Sequence, residues 1–577
     1  SLVGSEMCIR DSSKFISIQS GVVVDFTMNE ACAAGTGSFL EEQAEKLGIS
    51  IVGEFAEKAL SSKSPIRLGE RCTVFMERDL VSYLQRGAKV EDLVAGLAYS
   101  VVHNYLNRVV RGRYIGDHIF FQGGTAYNDA VAAAFSKVLG KRIVVPPYNG
   151  VVGAIGMALL AKEKVERTGI KTRFRGYRLD QVNYQVREFT CRGCSNRCEI
   201  KEFIIEGERT YWGDKCSERY RKRAKVERQP VLPDLMALRR ELLLGGYEEG
   251  KGGRRGSVGI PRSMYTYDRF PFWRAFFEEL GFSVVLSDET NREIIEKGIE
   301  AAVAEPCFPI KVAHGHILNL VDKGVDYIFQ PNVINEETDH PEFQSHLCVW
   351  GQTLPFVAAR SPQIAPHRRK LLSPTLHFRE GKERVREELR AFGRALGLSK
   401  KEVDRAVEAA YEAQERFRRD LLRAGEEALG TLREKDELGI VLVGRPYNIN
   451  DRGINMDLPG KLRKYYGVDI VPMDMLPLWG VDVRDVNDNM FWNYGRKILQ
   501  AAKVVARHPN LHIIYISNFK CGPDSYVKHF VKEASGDRPF LSLQFDEHSN
   551  DAGILTRCEA YLDSKGFLRW WVRKRVA

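Results

Sequence analysis

The 577-residue sequence has no long apolar run. No stretch approaches the roughly 20 consecutive apolar residues of a membrane-spanning helix. The first residues lack the charged, apolar and small-residue order of a secretory signal. The sequence also has no HExxH motif and no Ser–His–Asp arrangement, which argues against common hydrolase sites. We therefore expect a cytoplasmic protein that acts without a membrane.

Composition excludes a disordered or collagen-like chain, because 44% of the residues are apolar and 28% are charged. The formal net charge is +10, and much of the excess lies in local runs such as 219–225 and the final residues. Such runs are typical of solvated surface. We therefore expect no nucleic-acid partner.

The eleven cysteines carry the most information. An odd number in a long chain argues against a secreted disulfide framework and favours metal or redox chemistry. Residues 1–12, which include Cys8, resemble a translated sequencing-adapter string. We expect this segment to be non-native and the chain to be truncated at its N-terminus.

The pattern of apolar residues predicts an α/β protein. Residues 13–165 alternate strands and helices, with a buried strand expected at HIFFQGG and a helix over 128–139 capped by Asn128. A cysteine-rich connector and linker follows over 166–256. Two further α/β lobes, 257–377 and 431–577, flank a helical insertion at 378–430. The second lobe ends in a basic tail.

Cys32 lies beside a glycine-rich turn, and a helix is predicted to start near residues 36–38. Cys72 stands at the start of another predicted helix. Small residues and a helix N-terminus suit a phosphate or an anionic iron–sulfur cluster. The alternative is two buried apolar cysteines.

Four ordered motifs carry a family resemblance: CAAGTGSFLE, ERCTVFMERD, FFQGGTAYNDAV and VVPPYNGVVGAIGMAL. They resemble the ATP-dependent activators of 2-hydroxyacyl-CoA dehydratases and benzoyl-CoA reductases. The resemblance implies an actin/sugar-kinase-like (RNase H-like) ATPase fold, ATP with Mg, and a homodimer. It also implies one [4Fe–4S] cluster between subunits, held by Cys32 and Cys72 of each. It places nucleotide contacts at Gly35, Thr36, Gly37, Gly123, Gly124 and Asn128.

The family's early phosphate loop should precede the KFISI strand, where residues 1–12 stand instead. We therefore expect this chain to contain an incomplete ATP site.

The connector holds four closely spaced cysteines: Cys191, Cys194, Cys198 and Cys216. Four thiolates near each other in sequence, among charged residues and glycines, indicate a metal site. Structural zinc and an iron–sulfur cluster fit the ligand type equally, and free thiols are the alternative. Lys201, Arg209 and Lys215 would offset the thiolate charge.

Five later motifs resemble the activase-related domain that is often fused behind the activator ATPase: GIPRSMYTYDRFPFWRAFFEELGF, AEPCFPIKVAHGHI, GVDYIFQPNVIN, VGRPYNINDRGINMDLP and SNFKCGPDSY. The resemblance implies Rossmann-like lobes that hold an iron–sulfur cluster through Cys307, Cys348 and Cys521. Three thiolates would leave one iron open. Cys558, in a helical context, is expected to be a packed core thiol.

Four further residues are catalytic candidates: His314, His316, Arg445 and Asp524. The histidines could donate hydrogen bonds to a cluster or an acyl-CoA carbonyl. Their alternative is a pair at a helix start whose polar atoms bond to backbone.

These observations predict an iron–sulfur activator that uses ATP to deliver a low-potential electron to an acyl-CoA dehydratase or reductase component. A ferredoxin or flavodoxin type of donor would supply that electron. The first alternative is an iron–sulfur enzyme that acts on an acyl-CoA directly. The second is a non-catalytic scaffold that holds zinc or an iron–sulfur cluster.

Overall fold

The computed structural model describes residues 13–567 except 20–21, 29–36, 71–72, 111, 170–182, 191–198, 206, 214–227, 251–252, 305, 537, 548 and 550. Contacts divide the chain into two compact units, residues 1–182 and 183–577. Within the described ranges, no helix is both long and apolar enough to cross a bilayer.

The first unit begins with an antiparallel hairpin and continues as helices joined by short strands. Its elements are β1 Lys14–Gln19, β2 Val22–Met28, α1 Gly37–Lys46, α2 Glu54–Ser61, α3 Thr73–Gln85, α4 Val90–Tyr105, β3 Ile119–Phe120, α5 Asp129–Leu139, β4 Ile143–Val144 and α6 Val152–Thr168.

The core of this unit forms around α4, whose apolar residues are buried from Leu93 to Val102. Asn128 caps α5, as predicted, and its Oδ1 accepts hydrogen bonds from the N–H groups of Ala130 and Val131. The buried strand expected at HIFFQGG is wrong. Strand β3 covers two residues, pairs only with the equally short β4, and leaves Phe120 62% exposed.

The second unit opens with a three-stranded antiparallel sheet that apolar periodicity did not predict. It consists of β5 Tyr184–Thr190, β6 Glu199–Ile205 and β7 Glu208–Trp212. Strand β5 is almost wholly exposed, so its residues carry no clear alternation of apolar and polar side chains.

Lobe 1 of this unit follows helix α7 Leu235–Leu244. Its elements are β8 Ser257–Ile260, α8 Thr266–Glu279, β9 Ser283–Leu286, α9 Arg292–Ala301, α10 Phe308–Asp322, β10 Tyr327–Phe329, β11 Asn332–Asn335, α11 Val349–Ala358, β12 Leu371–Leu372 and β13 Thr375–His377. Strands β11 and β13 extend β10 and β12 beyond Pro331 and Pro374 as a separate parallel pair.

Helices α12 Lys382–Ala395 and α13 Lys400–Glu434 form the predicted helical pair and lead into lobe 2. Lobe 2 consists of β14 Gly439–Gly444, α14 Pro446–Asn450, α15 Leu458–Tyr466, β15 Asp469–Pro472, α16 Asn493–Ala506, β16 Leu511–Asn518, α17 Gly522–Ala534, β17 Leu541–Phe545 and α18 Asp551–Ser564.

Both lobes contain a parallel four-stranded sheet with the same topology, which confirms the α/β class. The strand order is β12-β10-β8-β9 in lobe 1 and β15-β14-β16-β17 in lobe 2. In each sheet the second strand in chain order lies on one side of the first strand, and the two later strands lie on its other side. Ligand sites of open α/β sheets form outside the carboxyl ends of the strands at such switch points, here β8/β10 and β14/β16.

Helix α13 connects the two lobes. It begins with a capping box between Ser399 and Glu402. Gln414 Nε2 donates a hydrogen bond to the carbonyl of Asp268 in lobe 1. Further along, a Cβ on Gly425 would lie 1.7 Å from the carbonyl oxygen of Met475 in lobe 2, so the helix packs directly on that backbone.

Helices α9 and α10 cross closely enough to require glycine on both. A Cβ on Gly315 would lie 1.8 Å from the carbonyl oxygen of Ile294, and one on Gly298 would lie 2.3 Å from that of Lys311. This contact sets the position of α10.

We predict that Gly315→Ala destabilises the protein by about 1–3 kcal/mol, because the added methyl meets backbone that must move. The matched control is Gly430→Ala in α13, where a Cβ would meet no atom within 4 Å. That variant should stabilise the helix by up to about 1 kcal/mol. Urea unfolding followed by circular dichroism measures both. Equal midpoints for the two variants would contradict the tight crossing.

Candidate cysteine site

Three cysteines predicted as ligands occupy the same local position. Cys307, Cys348 and Cys521 are the N-cap residues of α10, α11 and α17. In the helices that follow Cys307 and Cys521, a proline stands in the first two positions, where the missing N–H removes no helical hydrogen bond. The three side chains are 6%, 9% and 8% exposed, so the site lies just below the surface.

One sulfur, Cys348 Sγ, accepts a hydrogen bond from the backbone N–H three residues further along, whereas the Cys307 and Cys521 side chains make no such cap bond. The N–H of Gly351 lies 3.3 Å from Cys348 Sγ. The N–H groups of Ile310 and Asp524 stand at the same position relative to Cys307 and Cys521 and act to lower the pKa of those thiols. A helix N-terminus carries free N–H donors and positive potential, which favour a thiolate over a thiol.

The three thiols and one arginine act on each other electrostatically. Burial and the charge of Cys348 together raise the pKa of Cys307 to about 12, and Arg445 acts in the opposite direction. Burial also raises the pKa of Cys521 well above its ordinary value, with contributions from Asp524 and Cys307. The cysteines of three separate segments therefore meet at one place, and burial favours the neutral thiol at Cys307 and Cys521.

Arg445 follows β14, next to the end of β16, and is 1% exposed. Its Nε donates a hydrogen bond to Asp524 Oδ1 at 3.0 Å, and Ser517 Oγ donates to Asp524 Oδ2 at 2.7 Å. Arg445 Nη2 is buried without a hydrogen-bond partner among the described residues. The ion pair thus holds the Arg445 guanidinium beside the cysteines, with one N–H donor group not used in a hydrogen bond among the described residues.

Two tyrosines complete the walls. Tyr265, after β8, lies against Cys348, and a Cβ on Gly351 would overlap its hydroxyl at 1.9 Å. Tyr447 follows Arg445 and is within the electrostatic reach of all three thiols. Sequence reasoning missed Tyr265, Tyr447 and Ser517. The only signal for Tyr265 and Tyr447 was their position close behind strands at the switch points, and Ser517 lies at the end of β16 itself.

The two histidine candidates are absent from this group. Both lie inside α10 rather than at a helix start. His314 Nδ1 donates to the carbonyl of Ile310, and His316 bonds to Ser287 Oγ and Thr290 Oγ1 at 2.8 and 2.9 Å. Burial lowers the pKa of His316 to about 3, so it is neutral.

Three thiols at one place are the donor type that holds an iron–sulfur cluster. Among the described residues, no three Cys, His, Asp or Glu side chains lie close enough to hold one metal ion. Cluster thiolates bind different irons, so they stand further apart. Helix N-termini and the spare donor of Arg445 match a group that is anionic with its thiolates. Cys558 is apart from the site, wholly buried in α18, as expected of a core thiol.

In the first unit the structure brings two predicted nucleotide segments together. A Cβ on Gly37, at the start of α1, would lie 2.9 Å from Thr125 Oγ1, directly after the Gly123–Gly124 turn. Gly123 has φ +99°, and a Cβ on Gly124 would meet no atom within 4 Å. This turn therefore has an open side. Asn128 keeps a buried Nδ2 with no partner in the described structure.

The other predicted ligands lie outside the described residues. They are Cys32, Cys72, Gly35, Thr36, Cys191, Cys194, Cys198 and Cys216. Their roles remain predictions.

Comparison with known families identifies both segments of the chain. Residues 11–161 match the BadF/BadG/BcrA/BcrD ATPase family, and residues 257–476 match the CoA enzyme activase uncharacterised domain. The chain thus contains one segment that matches the ATPase family and a later one that matches the CoA enzyme activase domain, which confirms the resemblance found in the sequence.

The relatives with functional names include two dehydratase activators. The 2-hydroxyisocaproyl-CoA dehydratase activator of Clostridioides difficile is 32% identical over 149 residues, covering 26% of this chain and 55% of that protein. The (R)-2-hydroxyglutaryl-CoA dehydratase activating ATPase of Acidaminococcus fermentans is 34% identical over 154 residues, covering 27% and 58%. The crystal structure of (R)-2-hydroxyglutaryl-CoA dehydratase component A from Acidaminococcus fermentans aligns with 27% of this chain and 60% of its own chain. The sequence identity is 32% and the TM-score is 0.26. The chain spans little more than half the length of these relatives.

We predict that Arg445→Gln destabilises the protein by about 3–5 kcal/mol, because it leaves the buried carboxylate of Asp524 without its cation. The double variant Arg445→Gln/Asp524→Asn should recover part of that loss. The matched control is Arg484→Gln, whose partner Asp482 is 46% exposed, and its cost should stay below about 1 kcal/mol. Urea unfolding measures all three. A loss no larger at Arg445 than at Arg484 would contradict the buried pair.

Proposed function

We propose that this protein is an ATP-dependent iron–sulfur activator that delivers a low-potential electron to an acyl-CoA dehydratase-type cluster. The observation that supports it most is the convergence of Cys307, Cys348 and Cys521 on three helix N-termini beside Arg445. The names of the relatives and the two family matches point to the same class.

In this proposal, Cys307, Cys348 and Cys521 hold a [4Fe–4S] cluster, which supplies one-electron chemistry when bound. The N–H groups of Ile310, Gly351 and Asp524 stabilise the thiolates. Arg445 offsets the negative charge, and Asp524, fixed by Ser517, holds Arg445 in place. These groups favour an added negative charge and keep most water out, since the cysteines are under 10% exposed.

The ATPase segment would supply the driving force. Gly35, Thr36, Gly37, Gly123, Gly124 and Asn128 would contact ATP with Mg, and Gly37 and Gly124 already lie on either side of Thr125. Cys32 and Cys72 would hold a second cluster in a homodimer. The electron would come from a ferredoxin or flavodoxin type of donor. It would pass to the protein's own three-cysteine site or to a separate dehydratase or reductase component.

A second candidate function is direct catalysis on an acyl-CoA. It is favoured by the number of thiols, because the described residues bring three cysteines to the site and place Cys558 elsewhere. Three ligands leave one iron for a substrate oxygen. A scaffold role, with zinc at Cys191, Cys194, Cys198 and Cys216, would instead give zinc without iron.

We predict that Cys307→Ser, Cys348→Ser and Cys521→Ser each remove about four iron and four sulfide per chain from anaerobically reconstituted protein. The matched control is Cys558→Ser, a buried thiol outside the site, which should keep the wild-type content. Iron, acid-labile sulfide and zinc analysis with EPR of the reduced protein measures this. A wild-type chain with zinc and no iron would contradict the proposal. So would equal iron loss from the Cys558 variant.

We predict that Gly124→Val weakens binding of a fluorescent ATP analogue at least tenfold. A Cβ at this position would meet no atom of the described residues within 4 Å, so a larger side chain is expected to obstruct a bound nucleotide rather than the fold. Gly116→Val, also in open space, is the matched control. Fluorescence anisotropy measures binding, and circular dichroism verifies folding. Equal affinity in both variants, or no saturable binding by the unmodified chain, would contradict a nucleotide site at this turn.

A further inference from the structure

A cavity of about 370 Å³ lies between the two lobes of the second unit. Arg262, Tyr267 and Thr290 line it from lobe 1, and Asp451 and Asn455 line it from lobe 2. Its volume falls within the range of about 300–1,000 Å³ that small-molecule sites occupy. The cavity is separate from the cysteine site, although the two share walls.

One side of the cavity is a closed hydrogen-bond network. Asp451 accepts from Thr290 Oγ1 at 2.6 Å and from the N–H groups of Gly453 and Ile454, and Tyr267 also bonds to it. His316 in turn bonds to Thr290. These contacts tie the lobes together. They also give both oxygens of the Asp451 carboxylate hydrogen-bond donors, so this carboxylate needs no donor from a ligand.

Two groups in the cavity wall are less completely engaged. Arg262 Nε donates to the carbonyl of Ser287 at 2.6 Å, but its guanidinium forms no ion pair among the described residues. Asn455 is 1% exposed, and its Nδ2 donates to the carbonyls of Asn448 and Ile449. Its Oδ1 is therefore left as a buried acceptor without a partner in the described structure. A buried acceptor of this kind is costly unless a ligand or water satisfies it.

Arg240 and Lys464 add further positive charge to the wall, and the other charged residues there have partners or are exposed. Arg239 pairs with Asp474, Arg452 with Asp457, and Asp234 accepts the N–H of Ala237 as the cap of α7. Glu289 is exposed at the edge. The wall of the cavity also contains apolar residues, with Phe270 and Ile449 among them.

We propose that this cavity binds a small organic anion, a carboxylate or a phosphate, that also carries a hydroxyl or amino donor. The anionic group would pair with Arg262, the donor would satisfy Asn455 Oδ1, and the apolar part of the molecule would pack on Phe270 and Ile449. This site does not depend on the proposed cluster, because none of its groups is a cysteine.

Isothermal titration of the full chain with 2-hydroxyhexanoate, hexanoate and glycerol 3-phosphate tests the proposal. We expect saturable binding of 2-hydroxyhexanoate or glycerol 3-phosphate, and the stronger of the two identifies the anionic group. Hexanoate, which lacks the donor, should bind more weakly than 2-hydroxyhexanoate. Arg262→Gln should weaken binding at least tenfold, and Arg262→Lys should restore part of it because it keeps the cation.

The matched control is Arg419→Gln, which removes the same charge from an exposed position on α13 and should bind as the wild type does. Thermal unfolding of each variant separates loss of binding from loss of folding. The proposal is overturned if no probe binds saturably, or if a folded Arg262→Gln protein binds as tightly as Arg419→Gln. Iron content stays unchanged in either case, so this result is distinguishable from failure of the cluster proposal.

Discussion

The N-termini of three helices meet at one point, and the rest of the candidate site depends on that geometry. In a parallel α/β lobe the helix that follows a strand starts at the carboxyl edge of the sheet, so free N–H groups and positive potential collect there. Cys307, Cys348 and Cys521 are the N-cap residues of three helices, of which α11 and α17 come after the strands β11 and β16. A thiol in this position is stabilised as an anion, although burial acts in the opposite direction. A bound cation or cluster would resolve that conflict.

The site also requires that the two lobes hold the carboxyl edges of their sheets in a fixed position relative to each other. Helix α13 does this by packing its backbone on Met475 in lobe 2 while Gln414 bonds to lobe 1. The Asp451 network forms a second connection between the lobes. In lobe 2, Arg445 follows β14 and Asp524 lies in the first turn of α17. This pair faces the cysteines that lobe 1 contributes. A buried ion pair of this kind contributes less to stability than to the placement of a charge.

The cysteine site and the neighbouring cavity share two walls. Tyr265 faces Cys348, while Thr266 and Tyr267 line the cavity. On the other side, Arg445 and Tyr447 reach the cysteines, while Ile449 and Asn450 line the cavity. An occupant of the cavity would therefore press on the same short segments that position the cysteine site. Coupling between the two would need only small movements of α14 and of the start of α8.

The sequence alone determined the α/β class, the helical pair and the Asn128 cap, because each depends on local periodicity or on a compact motif. The family resemblance selected the three cysteines that the structure brings together, and their role as ligands stays a prediction. The sequence pattern failed at HIFFQGG, whose apolar run predicted a buried strand, and at β5–β7, where exposure removes alternation. Tertiary structure decided that Arg445 and Asp524 join the cysteines whereas His314 and His316 do not. Neighbouring residues on a helix face different directions, and only the packing of α10 on α9 sets which surface each one meets. Tertiary structure likewise decided the positions of Tyr265, Ser517 and the cavity. They are formed by segments far apart in the chain, and the order of strands in the sheets brings them together.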